Sequence, residues 1–583
     1  MFWIVLHPRQ PPRILTPALD LLHALTSPFH AAPTVPAASA PAGSASARAS
    51  VVIGASCLVW ALVQWLSQGN LDGYHDMLEN YAWSQAWDWG THKHPPFFAW
   101  MVGLWFALFA QNDLSYRLLA YTNVAVGLWG VLHLARRLGL GALASTAVLL
   151  LLWSLPYTNL AAKFNANSQL LSLWPWTAAM LLASWQERGW RGAAVSTALG
   201  LLAAASMLSK YYSGVFLAGF LVPTLLTSAG RQWLRSPRPY LALTVFSAAL
   251  APHVSWIAGH NWVILGYALD QGGGSTQWAY VLRFALAPLF YWLPGWLACV
   301  TVFSRMQMQI QMQHRAAPAS RWGALWVRLA LRSWHPTGWG DTLFWLALMP
   351  WVVTLGCGIA GVAELSTPWA IPIGFAFSLL WLRNLQAAAP SATARAQAAL
   401  HRALWPVLAA IVLVGLAFAV SNAYSDRDGY YRPTEDAAQA IAADWAQRHP
   451  DLPLGWVGGD WAENALLAFY ALPNVRTLPG LPDDYPALFN PHPLWAQQAG
   501  LLLCPRGPYL GPDRRSAPPA AAECEDAAQQ WLAQRNLSSA PRATLRLVEV
   551  QRHGWRFPHP YPFVYAVFDA LPATPATAAP RTP

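Results

Sequence analysis

A recurring stretch of about twenty apolar residues constrains this chain more than any other feature. Apolar runs occur at 51–67, 97–111, 115–136, 142–158, 166–185, 192–209, 212–228, 240–258, 280–303, 342–360, 366–383 and 404–422. Most approach the ~20 residues that a helix needs to cross a bilayer. Charged residues make up 11% of the chain, where a soluble domain carries about 25%. The pattern predicts a mainly α, polytopic membrane protein with about eleven to thirteen transmembrane helices and a small soluble α/β domain at its C-terminal end.

Charge sets the expected orientation. The formal net charge is +10, but the arginines lie mostly in short loops between apolar runs, as the positive-inside rule produces. No basic patch accompanies a docking motif, so nucleic acid is excluded as a partner. The basic connections at Arg136–Arg137, Arg188–Arg191, Arg231–Arg238, Arg305–Arg332 and Arg383–Arg402 are therefore expected in the cytoplasm. Loops 68–96, 159–165, 210–211, 259–279 and 361–365, and everything after residue 423, then face the other side. The chain must cross an odd number of times between residue 96 and Arg136, yet two apolar runs lie there. Either 97–111 is half-inserted, which leaves eleven full spans, or one loop is assigned to the wrong side.

Outside the spans, residues 1–50 are rich in Ala, Pro and Ser and read as a disordered cytoplasmic tail. Residues 51–422 form the transmembrane domain. Residues 423–572 form a soluble α/β domain, with strand-like runs at Leu454–Val457 and Leu501–Leu503, a helix at Glu435–Arg448, and a final hairpin from Thr544–Val550 and Pro562–Phe568. Residues 573–583 read as a disordered tail. The five cysteines form no metal-ligand pattern. Of these, Cys504 and Cys524 lie in the polar region and would pair only in an oxidising compartment.

The first extramembrane loop carries the chemistry. Its sequence, L-D-G-Y-H-D-M-L-E-N-Y-A-W-S-Q-A-W-D-W-G-T-H-K-H-P-P over residues 71–96, is too polar to span. Helical spacing puts Asp76, Asn80, Trp83 and Trp87 on one face and Tyr74, Met77, Leu78 and Tyr81 on another, as in a helix lying in the membrane interface. His94-Pro95-Pro96 is expected to stop that helix.

An acidic residue, an aromatic helix, a Gly, a basic or polar pair and Pro-Pro before a hydrophobic segment resembles glycosyltransferase family 39. This is the family of dolichyl-phosphate-mannose-protein mannosyltransferases and aminoarabinose transferases, which have the GT-C fold. The resemblance covers roughly residues 51–385. It implies that Asp76 is the catalytic base, with Asp72 and Glu79 as neighbouring rivals. The segment F-N-A-N-S-Q-L-L-S-L-W-P-W at 164–176 is similar to a family loop that usually carries an acid, and the matching position here is Asn167. An amide cannot act as a base, so its implied role is hydrogen bonding to sugar or phosphate, shared with Asn165; a helix cap is the plainer alternative for Asn165. L-S-K-Y-Y-S-G at 208–214 resembles the family's Lys-Tyr turn and implies roles for Lys210 and Tyr211. Glu364, Pro368 and Trp369, in E-L-S-T-P-W-A-I-P, resemble a later short loop on the same side.

Independently of any family, only three of the 36 basic residues are lysine: Lys93, Lys163 and Lys210. All fall in loops assigned to the non-cytoplasmic side, within or beside these motifs. A compact ammonium meets phosphate as a point charge with rotatable donors. These lysines, with His94, are expected to gather around the phosphate of a lipid carrier; the alternative is that they snorkel to lipid headgroups. His253 and His260 fall at the end of a span on the same side. The Gly272-Gly273-Gly274 run reads as a loop able to order on substrate binding.

The resemblance thus implies an inverting glycosyltransferase in a bacterial inner membrane, with its C-terminal domain periplasmic. It would move a sugar from a polyprenyl-phosphate carrier to an envelope lipid, glycan or protein. No cofactor is firmly implied, although a divalent metal is compatible with the family. A transporter would place paired charges or repeats within its spans, and neither is seen in the sequence. A catalytically reduced subunit remains the second alternative, because of Asn167.

Overall fold

The computed structural model describes residues 42–73, 76–262, 264, 266, 276–314, 321–424, 432–460, 463–478, 480–481, 498–507, 519–535, 545–552 and 560–571. Residues 1–41 of the tail expected at 1–50, the tail at 573–583, Tyr74 and Gly272–Gly274 lie outside the described residues; the rest of the expected N-terminal tail is instead helical, the first helix beginning at Ala42 and running to Ser67.

Lipid offers a backbone amide no hydrogen-bond partner, so the apolar runs fold as helices. Seven are long and apolar enough to cross a membrane: Ala49–Ser67, Asp113–Arg137, Gly189–Ser209, Arg238–Gly259, Trp278–Gln313, Thr342–Ile359 and Pro390–Ser421. Two further candidates are bent pairs, Gly141–Leu151 with Leu155–Ala162 at 81°, and Ser213–Leu226 with Ser228–Leu234 at 104°. The described residues therefore hold up to nine spans by length and composition. The difference from eleven to thirteen lies in three runs.

Run 97–111 forms the helix Phe97–Leu108, whose 12 residues extend about 18 Å, short of the ~30 Å hydrocarbon core. Run 366–383 breaks into a 3-10 turn, Thr367–Ala370, and a helix, Phe377–Ala388. Run 166–185 forms the 21-residue helix Ala166–Gln186, which is long enough but polar, with Asn167, Ser168, Gln169, Ser172, Thr177 and Ser184 all buried. It packs between Asp113–Arg137 and Gly189–Ser209, where its polar groups meet protein rather than lipid. Gln169 Nε2 donates to Asn123 Oδ1 at 2.9 Å, and Asn123 Nδ2 donates to the Ser168 carbonyl at 2.7 Å. Gly127 permits the close approach, since a Cβ there would strike the carbonyl of Leu171.

The C-terminal region forms a mixed five-stranded sheet in the order β2-β1-β3-β5-β4. Its strands are β1 (Trp456–Gly459), β2 (Arg476–Thr477), β3 (Gly500–Gly507), β4 (Leu545–Gln551) and β5 (Pro562–Ala570). β1 runs parallel to β2 and β3, while β5 is antiparallel to β3 and β4. The β4–β5 pair stands where a final hairpin was expected. Alternation along β3 sends Leu502 and Cys504 to one face, where they meet Trp531 and Leu532 of the helix Pro519–Arg535. Cys504 is bonded to Cys524 on that helix. Leu501 and Leu503 point to the opposite face.

That opposite face shares its core with the first extramembrane loop. The helix Asp76–Ala86 buries Met77, Leu78 and Tyr81 against Phe98, Val102 and Tyr116 from the bundle and against Ile441 and Phe469 from the C-terminal region. Tyr81 and Phe469 meet edge to face at 5.0 Å. Tyr470 Oη donates to Asp113 Oδ1 at 2.7 Å, and Gln111 Nε2 donates to the Ala468 carbonyl at 3.0 Å. Of the face carrying Asp76, Asn80, Trp83 and Trp87, Asn80 is buried in protein while Trp87 stays exposed. One expectation is corrected here: the helix ends at Ala86 rather than at His94-Pro95-Pro96, with Trp87 in the left-handed region at φ 52°.

Candidate functional site

A cavity of about 580 Å³ opens where loop 68–96, the 159–167 segment, the Lys210 turn and the 366–371 segment converge. It brings together Asp76, Lys93, His94, Lys163, Asn165, Asn167, Lys210 and Tyr211 from the sequence reading. Glu364 is not among its lining residues; the same segment contributes Ser366, Pro368 and Trp369 instead.

Two carboxylates sit side by side and are distinguished by what they bind. Asp72 is buried, and its two oxygens accept the backbone N–H groups of Asp76 at 3.1 Å and Met77 at 2.9 Å. It therefore caps the helix Asp76–Ala86. Asp76 is half-buried and receives Lys163 Nζ on Oδ2 at 2.7 Å and Asn165 Nδ2 on the same oxygen at 3.3 Å. Lys163 also reaches Asp72 at 3.6 Å. Among the described residues Asp76 Oδ1 makes no hydrogen bond, so one carboxylate oxygen is fixed and the other is open to a ligand.

Asn165 serves two functions. It is the N-cap of the helix Ala166–Gln186, its Oδ1 accepting from Asn167 N at 2.9 Å and Ser168 N at 3.1 Å, and Ser168 completes a capping box. Its remaining amide donor is what reaches Asp76. The cap and the substrate-side role, alternatives in the sequence, are one arrangement in the fold.

Asn167 follows in the first turn and accepts Lys210 Nζ on Oδ1 at 2.8 Å. Lys210 also lies 5.6 Å above the Trp369 ring. An amide partner orients the ammonium without neutralising it, which an acid at this position would do. Burial, reinforced by Lys93 and opposed by Asp76, brings the Lys210 amine down to about 7. Tyr211 Oη pairs with His253 Nε2 at 2.7 Å, and His253 Nδ1 in turn meets the Trp89 carbonyl. This chain ties the Lys210 turn to loop 68–96. His260 stacks on Trp256 at 3.9 Å and is not among the cavity-lining residues.

Lys93 Nζ contacts both oxygens of Glu79, at 3.2 and 3.3 Å. Burial pushes the Glu79 carboxyl up to about 8 against the pull of Lys93. Burial takes His92 down to about 3 and holds His94 well below the usual imidazole range, with Lys210 and Lys93 adding to the effect on His94. Both rings are neutral near pH 7.

The sequence reading missed Arg117. It is 1% exposed and donates to the carbonyls of Ala162 at 2.6 Å, Asn70 at 3.1 Å and Leu71 at 2.5 Å, and to Gln68 Oε1. One guanidinium therefore clamps the chain just before Asp72 to the chain just before Lys163. Gln68, joined through Gln64 to Asn159, lines the same wall. The available signal was an arginine inside an otherwise apolar run, where a charge is costly unless used. With Arg117 the cavity has four basic residues against the two carboxylates Asp72 and Asp76, a balance that suits an anionic ligand. Among the described residues no group of three or more His, Cys, Asp or Glu could hold a metal ion.

Residues 93–256 match the family described as dolichyl-phosphate-mannose-protein mannosyltransferase. The solved structure of ArnT from Cupriavidus metallidurans bound to undecaprenyl phosphate aligns with a TM-score of 0.51 at 15% identity, over 92% of this chain and 100% of that one. The chain has the GT-C fold. The matched segment begins at Lys93, at the end of the first loop, and contains Lys163, Asn167 and Lys210, whereas Asp76 lies before it. Other GT-C structures align less closely. ArnT from the same organism in the apo state gives 0.46 at 15% identity over 90% and 98% of the two chains. An oligosaccharyltransferase from Archaeoglobus fulgidus in complex with Zn and sulfate gives 0.39 at 13% identity over 74% and 62%. No curated protein sequence matches this chain.

Proposed function

We propose that this protein is an inverting glycosyltransferase that takes a sugar from a polyprenyl-phosphate carrier. The observation that carries this reading is the convergence of Asp76 with all three lysines of the chain on one cavity. In the step proposed, the acceptor hydroxyl oxygen attacks the anomeric carbon while the bond from that carbon to the phosphate oxygen breaks. Asp76 takes the hydroxyl proton on its open oxygen. The electron pair of the broken bond stays with polyprenyl phosphate, whose growing charge meets Lys93, Lys163 and Lys210. A single displacement inverts the anomeric configuration. Asn165, Asn167 and Tyr211 orient the two substrates, and His94, being neutral, can hydrogen-bond without adding charge.

The acceptor is proposed to be an envelope lipid, glycan or protein at the periplasmic face of a bacterial inner membrane, with the C-terminal domain on that face. The Cys504–Cys524 disulfide in that domain fits an oxidising compartment. The helix Phe97–Leu108, too short to span, is proposed to be half-inserted, which lets the basic connections and the catalytic loop lie on opposite faces. GT-C relatives make the polyprenyl carrier the natural donor, since one of them is described bound to undecaprenyl phosphate.

Mass spectrometry of envelope glycans and lipids, with and without the gene, would identify the sugar. With that donor in hand, purified Asp76→Asn should lose transfer by about 10²–10⁴-fold while melting close to wild type. Equal activity would remove Asp76 as the base.

A further inference from the structure

A second cavity, of about 480 Å³, lies at the opposite end of the bundle and is not used by the proposed reaction. It is lined by Arg188, Arg235 and Arg238, with Gln232, Ser236 and Gly189 between them. Arg238 forms a half-buried wall. Its guanidinium donates to the Ser184 carbonyl at 2.5 Å, the Glu187 carbonyl at 2.5 Å and Ser236 Oγ at 3.0 Å. Arg188 and Arg235 are exposed at the mouth, and among the described residues neither has a carboxylate partner. The nearby acid, Glu187, is instead engaged by Arg137 at 2.7 Å. Three like charges that repel one another therefore surround an open space large enough for a substituted phosphate.

The surroundings point to where that phosphate would come from. The helices Gly189–Ser209 and Arg238–Gly259 are candidate spans that begin at this cavity, so it sits at the level where a span meets lipid headgroups. Trp190, Tyr240 and Leu243 are 77%, 65% and 60% exposed beside it, as interfacial anchors and lipid-facing side chains are. Neither helix has an acid in its first turn or a side-chain cap at its N-terminus, so the positive ends of the two dipoles add to the arginine charges. The 21 residues of Gly189–Ser209 place this cavity about 31 Å from the Lys210 end of the same helix.

We propose that the Arg188–Arg235–Arg238 cavity binds a phosphate ester, that of an anionic phospholipid headgroup, at the face of the membrane opposite the catalytic cavity. Arg238 is held by backbone carbonyls as a fixed wall, and Arg188 and Arg235 close over the phosphate as bidentate donors. Basic pockets between spans on the cytoplasmic side bind such headgroups by this chemistry.

Native mass spectrometry of the full-length protein tests the site, with titrations of phosphatidylglycerol, phosphatidylcholine and inorganic phosphate. Wild type should retain phosphatidylglycerol in preference to phosphatidylcholine. The double substitution Arg188→Gln with Arg235→Gln should weaken that retention by about ten-fold or more, the equivalent of one charge-assisted contact. Arg321→Gln with Arg402→Gln, two exposed arginines elsewhere in the chain, should leave it unchanged, and the melting temperature of each variant excludes misfolding as the cause. Competition by inorganic phosphate would support the phosphate chemistry. Saturable inorganic phosphate binding that is lost in the Arg188/Arg235 variant, without any phosphatidylglycerol preference, would keep the anion site but overturn its assignment to lipid. Equal retention of both lipids with no phosphate binding, or equal loss in the control variant, would overturn the proposal entirely.

Discussion

The two polar ends of this bundle handle cations in opposite ways. At the cavity end lysines dominate, each set against side chains of loop 68–96 or the 159–167 segment: Lys163 on Asp76 and Asp72, Lys210 on Asn167, Lys93 on Glu79. At the other end the cations are arginines, and the best-placed ones tie segments together. Arg383 binds both oxygens of Asp341 at 2.6 Å, and Asp341 caps the helix Thr342–Ile359. Arg238 spans the carbonyls of Ser184 and Glu187. A planar fork fixes two partners at once, whereas a single ammonium on a flexible stem can exchange one partner for another. The lysine end gathers its charges around the catalytic cavity, whereas the arginine end uses some of its forks to hold the bundle and, as proposed, others to grip a headgroup phosphate.

Arg117 is the exception that tests this division, because it is an arginine clamp at the lysine end. Arg117→Met should give the largest effect, about 3–4 kcal/mol of lost stability from several carbonyls left without their charged donor. Sugar transfer should fall with it, since the segments bearing Asp72 and Lys163 lose their common anchor. A denaturant titration of the purified protein in detergent measures the first, and unaltered unfolding would show that the clamp is dispensable.

Lys210→Ala should behave in the reverse manner. Loss of one donor to a developing anion costs transfer about 10²-fold or more, with no loss of stability, because burial already disfavours the charged amine. Lys210→Arg should not restore activity if a point charge is required. The pH dependence separates the two roles further. Lys210 titrates at about 7 in the folded protein and at 10.5 when unperturbed. Between those values the unfolded chain binds the proton and the folded protein does not, so this group makes stability rise with pH. Transfer should instead decline as pH rises through about 7, when the ammonium is lost. A pH–rate profile in which Lys210→Ala retains the wild-type alkaline limb would break the assignment.

The smallest effect belongs to the arginine end. Arg137→Gln, which breaks the exposed pair with Glu187, should leave both melting and transfer within error, since exposed pairs contribute little.

What the sequence disclosed follows the same physical lines. Spans were readable because lipid enforces a composition on any helix facing it, and the helix Ala166–Gln186 departed from that composition because protein surrounds it. The lysines stood out because they are so few and all fall in loops at the ends of apolar runs, whereas Asp76, Asn165 and Asn167 were picked out by the family resemblance of their segments. Arg117 was hidden for the opposite reason: it lies one turn inside an apolar run, and only the fold shows the carbonyls converging on it. Of the three residues read in the E-L-S-T-P-W segment, Pro368 and Trp369 do line the cavity, with Ser366, whereas Glu364 does not. The strand order β2-β1-β3-β5-β4 depends on pairings between distant segments, which no local pattern encodes.

The packing of Phe469 against Tyr81, Phe106 and Tyr116 imposes an order on biosynthesis. The helix that begins with Asp76 leaves the ribosome early, whereas its aromatic cover is translated long afterwards, once every candidate span has been made. A nascent chain can therefore insert its bundle while the loop bearing the proposed base still lacks part of its final packing. Maturation of the site is tied to completion of the polypeptide, so a truncated product would remain in the membrane with its active loop unfinished.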